Sequence, residues 1–162
     1  MEIRIHHKTD HYLMASVGPV GVWITGMAVN NEDFVHLKAI YAGPLAKVPQ
    51  TALLMVLREG TKMPEMGARK TAASMIEAIG ERFCGMHVVL RGSGFWASAL
   101  RSAITGLAML VPKKKDSARA YSEIREAADE LAKQIPGLSA AALTEAVEQL
   151  MVQEAPTRAA AE

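Results

Sequence analysis

The sequence predicts an α/β fold in which a mixed, mostly parallel β-sheet is flanked by helices. Two apolar runs, Thr51 to Leu57 and His87 to Leu90, are continuous rather than alternating, which is typical of strands covered on both faces. An amphipathic helical pattern follows each run. The start of the chain alternates between apolar and polar residues, which predicts an antiparallel hairpin before the parallel part.

The bulk properties indicate one ordinary domain with a substantial core. Of the 162 residues, 50% are hydrophobic and 22% are charged. The 18 basic and 17 acidic residues nearly cancel, so a broad nucleic-acid surface is not expected. Lys113 to Lys115 form a basic run without interleaved aromatic residues, which favours a solvated loop.

Composition also indicates the cellular compartment in which the protein works. The single cysteine, Cys84, excludes an internal disulfide and favours a reducing environment. No apolar stretch reaches the ~20 residues of a membrane span, and no signal peptide is recognised at the start. We therefore expect a cytoplasmic protein without a membrane span.

The first 25 residues predict extended structure. Ile3 and Ile5 alternate with polar neighbours and indicate a half-buried strand, and Tyr12 to Ser16 is expected to return beside it. Proline cannot donate to a ladder, so Val17-Gly18-Pro19 predicts a bulge or strand break near an edge. Val20 to Thr25 is extended again.

Start and stop signals bound the helices between the strands. Asn30 is a predicted N-cap, and Gly43-Pro44 should end the helix that follows it. Pro64 suits the first turn of the next helix. The inner face of that second helix is predicted to consist of Ala72, Met75, Ile76, Ile79 and Phe83.

A glycine-rich loop joins the strand His87 to Leu90 to a helix that begins near Phe95. Ser93 is predicted to cap this helix. The free N–H groups of the helix start would also suit an anion, and that possible anion-binding loop consists of Arg91, Gly92, Ser93 and Gly94. The loop is not a nucleophile elbow, since Arg91 and Phe95 stand where that motif has glycines. Ala97 replaces the third glycine of a dinucleotide-binding motif.

The remaining chain predicts an edge strand, Ser117 to Tyr121, and two helices capped by Ser122 and Ser139. The last helix carries an apolar stripe that either folds back on its own sheet or packs on a second copy as a homo-oligomer. The stripe comprises Leu143, Val147, Leu150 and Met151. We expect a domain over residues 1–135, the amphipathic helix within 136–154 and a flexible tail over 155–162.

No catalytic, cofactor or metal constellation is recognised. His6 and His7 would point to opposite faces of a strand, so they are not expected to share a metal ion with His11. Cys84 and His87 are neighbours at a strand start, but no carboxylate completes a trusted spacing. The sequence therefore predicts a non-enzymatic protein without a cofactor.

The element order resembles the SpoIIAA-like or STAS family, the anti-sigma-factor-antagonist fold, in its stand-alone bacterial branch. The similar parts cover residues 1–135. They are the opening hairpin, Val22-Trp23-Ile24-Thr25-Gly26 before Glu32-Asp33-Phe34, the strand Leu53 to Leu57, the helix after Pro64, the unit His87 to Leu110, and Tyr121-Ser122 before Ile124 to Leu131.

The resemblance implies a non-enzymatic domain that binds regulatory proteins, often kinases, through the loop and helix after a central strand. The residues expected to contact a partner are Thr61, Met63, Glu65 and Met66. Better-understood relatives carry a phosphorylatable serine at that helix start. Here Thr61 is the only hydroxyl, and the nearby Glu59 and Glu65 oppose a phosphate, so no phosphosite is transferred.

Two functions follow as expectations. The first is a STAS-like protein-interaction module in signalling, with methionines that adapt to a partner. The alternative is a small apolar or lipid-like ligand in a pocket lined by Phe95, Trp96 and methionines.

Overall fold

The computed structural model describes residues 1–26, 29–62, 65–110 and 118–154, with only the backbone of Met66 and Glu154. The strands are β1 (Ile3–Lys8), β2 (Tyr12–Val17), β3 (Val20–Thr25), β4 (Thr51–Arg58), β5 (Phe83–Arg91) and β6 (Ala118–Tyr121). The helices are α1 (Asn31–Ala42), α2 (Met66–Ile79), α3 (Gly94–Met109), α4 (Ile124–Gln134) and α5 (Ala140–Glu154), with a short 3-10 turn at Gly80–Arg82.

These strands form one sheet in which their spatial order is their sequence order. The pairs β1–β2 and β2–β3 are antiparallel, and the pairs from β3 to β6 are parallel. The two apolar runs are the neighbouring inner strands β4 and β5, with Met55 opposite Val88. The predicted α/β class, with a mostly parallel sheet and an antiparallel N-terminal part, is confirmed.

Helices α1, α2 and α3 cover one face of the sheet. Each connects a strand to its next parallel neighbour, and the strands advance across the sheet in one direction. Because such crossovers are right-handed, they all lie on the same side. Leu53, Met55 and Leu57 of β4 share a core cluster with buried residues of these three helices.

Helices α4 and α5 cover the opposite face. Leu54 of β4 belongs to this second cluster, together with Leu143, Val147 and Leu150, which are fully buried. Met151 packs against the same cluster and is partly buried. Of the two alternatives for this stripe, the structure shows the fold back on the chain's own sheet. These side chains therefore do not offer a surface for a homo-oligomer.

The connection between β2 and β3 differs from the prediction. Gly18 and Pro19 form a two-residue hairpin turn, and Val17 pairs with Val20 across it. The φ angle of Gly18 is +54°, which such hairpin turns require at their first central position. Pro19 lies in the turn, so it removes no ladder hydrogen bond, and the segment is neither a bulge nor a strand break.

Strand β1 contains a bulge that the alternation did not predict. The pairing register with β2 shifts between Ile5 and His7. One extra residue reverses the faces that follow it. Ile5 lies before this shift and is exposed, with 44% of its surface accessible, rather than half-buried as expected.

Two helix starts match their predicted caps. Asp33 N donates to Asn30 Oδ1 at 3.1 Å and Asn30 N donates to Asp33 Oδ2 at 3.1 Å, which is a reciprocal capping box. Ser139 Oγ accepts from Ala142 N at 3.2 Å. Helix α1 also ends where Gly43-Pro44 predicts.

Two other boundaries are corrected. The N-cap of α4 is Glu123 rather than Ser122, whose hydroxyl accepts a hydrogen bond from Arg101 at 2.9 Å. Helix α2 ends at Ile79, so Phe83 is the first residue of β5 and not part of the inner face of the helix. Phe83 is nevertheless buried, because the strand directs it into the same core cluster.

Several predicted features lie outside the described residues. They are Pro64 at the start of α2, the basic run Lys113 to Lys115, Ser117 and the tail 155–162. Within the described ranges, no helix is both long and apolar enough to cross a membrane.

Candidate functional site

The two segments that the sequence singled out meet at one end of the sheet. Arg58 at the end of β4 pairs in register with Arg91 at the end of β5, so the loops after these strands are neighbours. Open α/β sheets commonly bind ligands and partners at the carboxyl ends of their parallel strands. We call residues 58–62, 65 and 91–96 the carboxyl-end surface.

Trp96 joins the two loops of this surface. Its Nε1 donates to the carbonyl oxygen of Thr61 at 2.8 Å. Its ring lies so close to Gly92 that a Cβ there would be 2.6 Å from Cζ3 of the indole and 3.0 Å from Glu59 Cβ. The hydrogen bond joins the start of α3 to the loop after β4, and a residue larger than glycine at position 92 would displace the indole.

Thr61 is an internal part of this surface. It is 1% exposed, and its hydroxyl donates to the carbonyl oxygen of Arg58 at 2.6 Å. Its backbone N–H donates to the same oxygen at 3.1 Å. Thr61 closes the turn after β4, and the structure does not present its side chain to a partner or to a kinase.

The structure describes the other three expected contact residues to different extents. Glu65 is exposed at the N-cap position of α2, and its side chain makes no capping hydrogen bond. Met66 is the first residue of α2, described by its backbone only, and Met63 lies outside the described residues. A methionine contact surface therefore stays a prediction.

The possible anion-binding loop is exposed at the start of α3. Ser93 is the N-cap residue of α3, as predicted, but the expected hydrogen bond from the helix to its side chain is absent. Gly94 has a φ of +69°. The guanidinium of Arg91 lies 3.4 Å from the carboxylate of Glu123, which offsets its charge. Anion binding at Arg91, Gly92, Ser93 and Gly94 stays a prediction.

Phe95 protrudes from the same surface. Its side chain is 90% exposed, although Trp96 beside it is half-buried. Among the exposed large hydrophobic residues of the described chain, Phe95 is the most accessible and the aromatic one. The sequence contained the signal: the inner face of α3 steps from Trp96 through Leu100 and Ile104, which leaves Phe95 outside it.

His87 lies in the core, as predicted. It is 1% exposed, its Nδ1 lies 2.8 Å from the Tyr121 hydroxyl, and its Nε2 lies 3.3 Å from Gln134 Oε1. Burial lowers the pKa of His87 to about 4. Both ring nitrogens are engaged, so His87 is a neutral structural residue at neutral pH. The thiol of Cys84 is partly buried and lies 3.9 Å from the carbonyl oxygen of Arg82.

The N-terminal histidines His6 and His7 line one hollow of about 250 Å³ together with His36 of α1. His6 Nε2 lies 2.8 Å from the hydroxyl of Ser16. The ring of His7 stacks on Tyr12, and its centroid is 4.3 Å from that of His36 on α1. The sequence did not predict this contact between β1 and α1, because the two histidines lie on separate elements and not at a ligand spacing within one helix. In the described part of the chain, no three His, Cys, Asp or Glu side chains are placed to hold a metal ion.

A small apolar hollow lies between the sheet and helices α1 to α3. Its volume is about 50 Å³, and Met55, Ala72 and Leu100 are among the residues that line it. Phe95 and Trp96, expected to line an apolar pocket, do not belong to its wall.

Comparison with known proteins gives no relative: no family model, no curated protein and no solved structure matches the chain. The resemblance to the STAS family accordingly stays a prediction. The functional argument rests on the residues of this chain.

Proposed function

We propose that the chain is a non-enzymatic, STAS-like module that binds a regulatory protein through the carboxyl-end surface. The observation that carries the proposal is the 90% exposed side chain of Phe95 on the first turn of α3. Water-exposed phenyl rings are costly, and aromatic residues are enriched at the centres of protein interfaces. Phe95 would be the anchor of such an interface.

The surroundings of Phe95 suit this role. The hydrogen bond of Trp96 to Thr61 fixes the helix start, so little backbone ordering would be required on binding. Charged side chains are exposed on the same surface at Glu59, Lys62 and Arg91. An aromatic centre with a polar rim is the usual anatomy of a transient interface.

The proposal places the module in the cytoplasm, on the basis of its single cysteine. The partner is a regulatory protein rather than a second copy. A homo-oligomer would have to form through another surface than the stripe of α5, which the chain itself buries.

The test compares two aspartate substitutions at exposed apolar positions. Phe95→Asp places a charge at the proposed anchor, and Val152→Asp does the same on α5, where Val152 is 69% exposed. Each purified variant is immobilised and incubated with lysate of the source cells, and retained proteins are quantified by mass spectrometry. We expect a partner held by the wild type and by Val152→Asp to be depleted at least ~10-fold by Phe95→Asp, the effect of losing one interface hot spot.

Folding is checked by circular dichroism and urea unfolding, because exposed substitutions change stability by only about 0.5 kcal/mol. Equal retention of every partner by folded Phe95→Asp would contradict the proposal. A wild type that is dimeric by light scattering and monomeric as Phe95→Asp would identify a second copy as the occupant and would also contradict it.

A further inference from the structure

Three of the five histidines line one hollow between the edge strand β1 and helix α1. They are His6 and His7 of β1 and His36 of α1. Regular alternation would direct His6 and His7 to opposite faces, as predicted from the sequence. The register shift between Ile5 and His7 instead brings both into the wall of this hollow. The bulge therefore gathers titratable side chains where β1 meets α1.

The imidazoles of His7 and His36 form the contact between the two elements. Their ring centroids are 4.3 Å apart, and the ring of His7 also stacks on Tyr12 of β2. Nδ1 of His7 is buried and makes no hydrogen bond with the described residues. A charged imidazole carries an N–H at both nitrogens, so a charged His7 would bury a donor without an acceptor. The packed contact therefore suits neutral rings.

The acidic groups near this contact belong to α1. The carboxylate of Asp33 acts electrostatically on both His7 and His36, and it is held in place by the backbone N–H of Asn30. Glu32 is exposed beside it. No carboxylate of the described residues lines the hollow itself. Asp33 can therefore compensate part of one imidazolium charge, and a second charge gains little.

The neighbours on the two strands add no negative charge. On β1, burial and the charge of Arg4 lower the pKa of His6. On β2, burial raises the pKa of Tyr12, so its hydroxyl is uncharged in acid. Two charged imidazoles 4.3 Å apart would repel each other, and more strongly in this half-buried contact than in water.

We propose that the contact of His7 with His36 is acid-sensitive, so that protonation of both rings separates the end of β1 from α1. The part that separates begins after the bulge, at His7 and Lys8. The start of β1 stays paired, because Ile3 packs against the core on the other face of the sheet. Imidazole changes its charge between about pH 5 and 8, which sets the range of the response. This device does not depend on the function proposed for Phe95.

Amide hydrogen exchange of the full chain, followed by NMR, tests the proposal. Thr9 N–H donates to the carbonyl oxygen of Tyr12 beyond the bulge, and Gly18 N–H donates to that of Glu2 before it, both at 2.9 Å. Protection is compared at pH 7.5 and pH 5 after correction for the pH dependence of the chemical exchange rate. We expect the protection of Thr9 to fall at least ~tenfold more than that of Gly18, which records any general loss of stability.

Two variants separate the ring contact from other effects of acid. His36→Phe keeps a ring against His7 and removes its charge, so it should reduce this difference to less than ~threefold. His11→Gln, at an exposed position, should retain the difference of the wild type. An equal response of Thr9 and Gly18 in the wild type would overturn the proposal, and that comparison needs no variant to fold. A wild-type response in His36→Phe would overturn it as well.

Discussion

The indole of Trp96 lies so close to Gly92 that a Cβ at this position would be only 2.6 Å from the ring, and a larger residue would force the indole to shift. The same indole donates a hydrogen bond to the loop after β4. The geometry of the carboxyl-end surface therefore depends on the absence of one methyl group.

Gly92→Ala should destabilise the protein by about 1–3 kcal/mol, because the methyl group overlaps the indole and the neighbouring Glu59. Gly106→Ala on α3 is the matched control, since a Cβ there meets no atom within 4 Å. Alanine in place of that helical glycine should stabilise by about 0.5–1 kcal/mol. Urea unfolding measures both, and equal stability of the two variants would refute the close approach at Trp96.

Tyr41→Phe should cost about 1–2 kcal/mol of folding free energy. Its buried hydroxyl donates to the carbonyl oxygen of Ala52 at 2.6 Å and joins α1 to β4. Tyr12→Phe is the control, because the Tyr12 side chain is only partly buried. We expect its effect to stay within about 0.5 kcal/mol in the same unfolding experiment. A similar loss in both variants would mean that the Tyr41 hydrogen bond is not specifically stabilising.

His87 should make the protein less stable in acid. Burial holds its folded-state pKa at about 4, below the ordinary value of 6.5, so protons bind more strongly to the unfolded chain. The stabilisation by neutral His87 is fully present above about pH 6.5 and is lost as the pH falls towards 4, by about 3 kcal/mol in total.

Urea unfolding between pH 7.5 and pH 4 tests this dependence. His87→Gln should flatten the loss over that window, whereas His11→Gln, at an exposed position, should leave it unchanged. An NMR titration of His87 in the folded wild type provides a second readout. A midpoint near pH 6.5 would be incompatible with the buried pair that His87 forms with Tyr121.

Two serines at helix starts should respond differently to alanine. Ser139 accepts the backbone N–H of Ala142, so Ser139→Ala should cost about 1 kcal/mol. Ser93 makes no such bond, and Ser93→Ala should change the unfolding free energy by less than about 0.5 kcal/mol. The reverse order of the two effects would contradict the observed caps.

The fold was predictable because its strongest signals are local. A continuous apolar run is needed wherever both faces of a strand are covered, and β4 alternates Leu53 and Leu54 between two separate cores. Asn30 and Ser139 each cap the start of a helix by accepting a hydrogen bond from the backbone N–H three residues later. Such features depend mainly on neighbours in sequence, so the sequence alone can indicate them.

The errors concern features that tertiary contacts decide. Ser93 and Ser122 have the residue type of a cap, yet Ser122 instead binds Arg101 of another helix. The contact between His7 and His36 links elements that the chain brings together only after folding. The candidate site could likewise be predicted only in part. The sequence indicates the two loops separately, and the hydrogen bond from Trp96 to Thr61 in the structure shows that they form one surface.

The one-directional advance of the strands has a consequence for biosynthesis. Every crossover helix goes to one side, so the other side of the sheet stays uncovered until α4 and α5 have left the ribosome. A nascent chain that has completed β6 still exposes half of its hydrophobic interior to water, which favours aggregation or chaperone capture. Full cooperative folding therefore awaits the synthesis of the last helix.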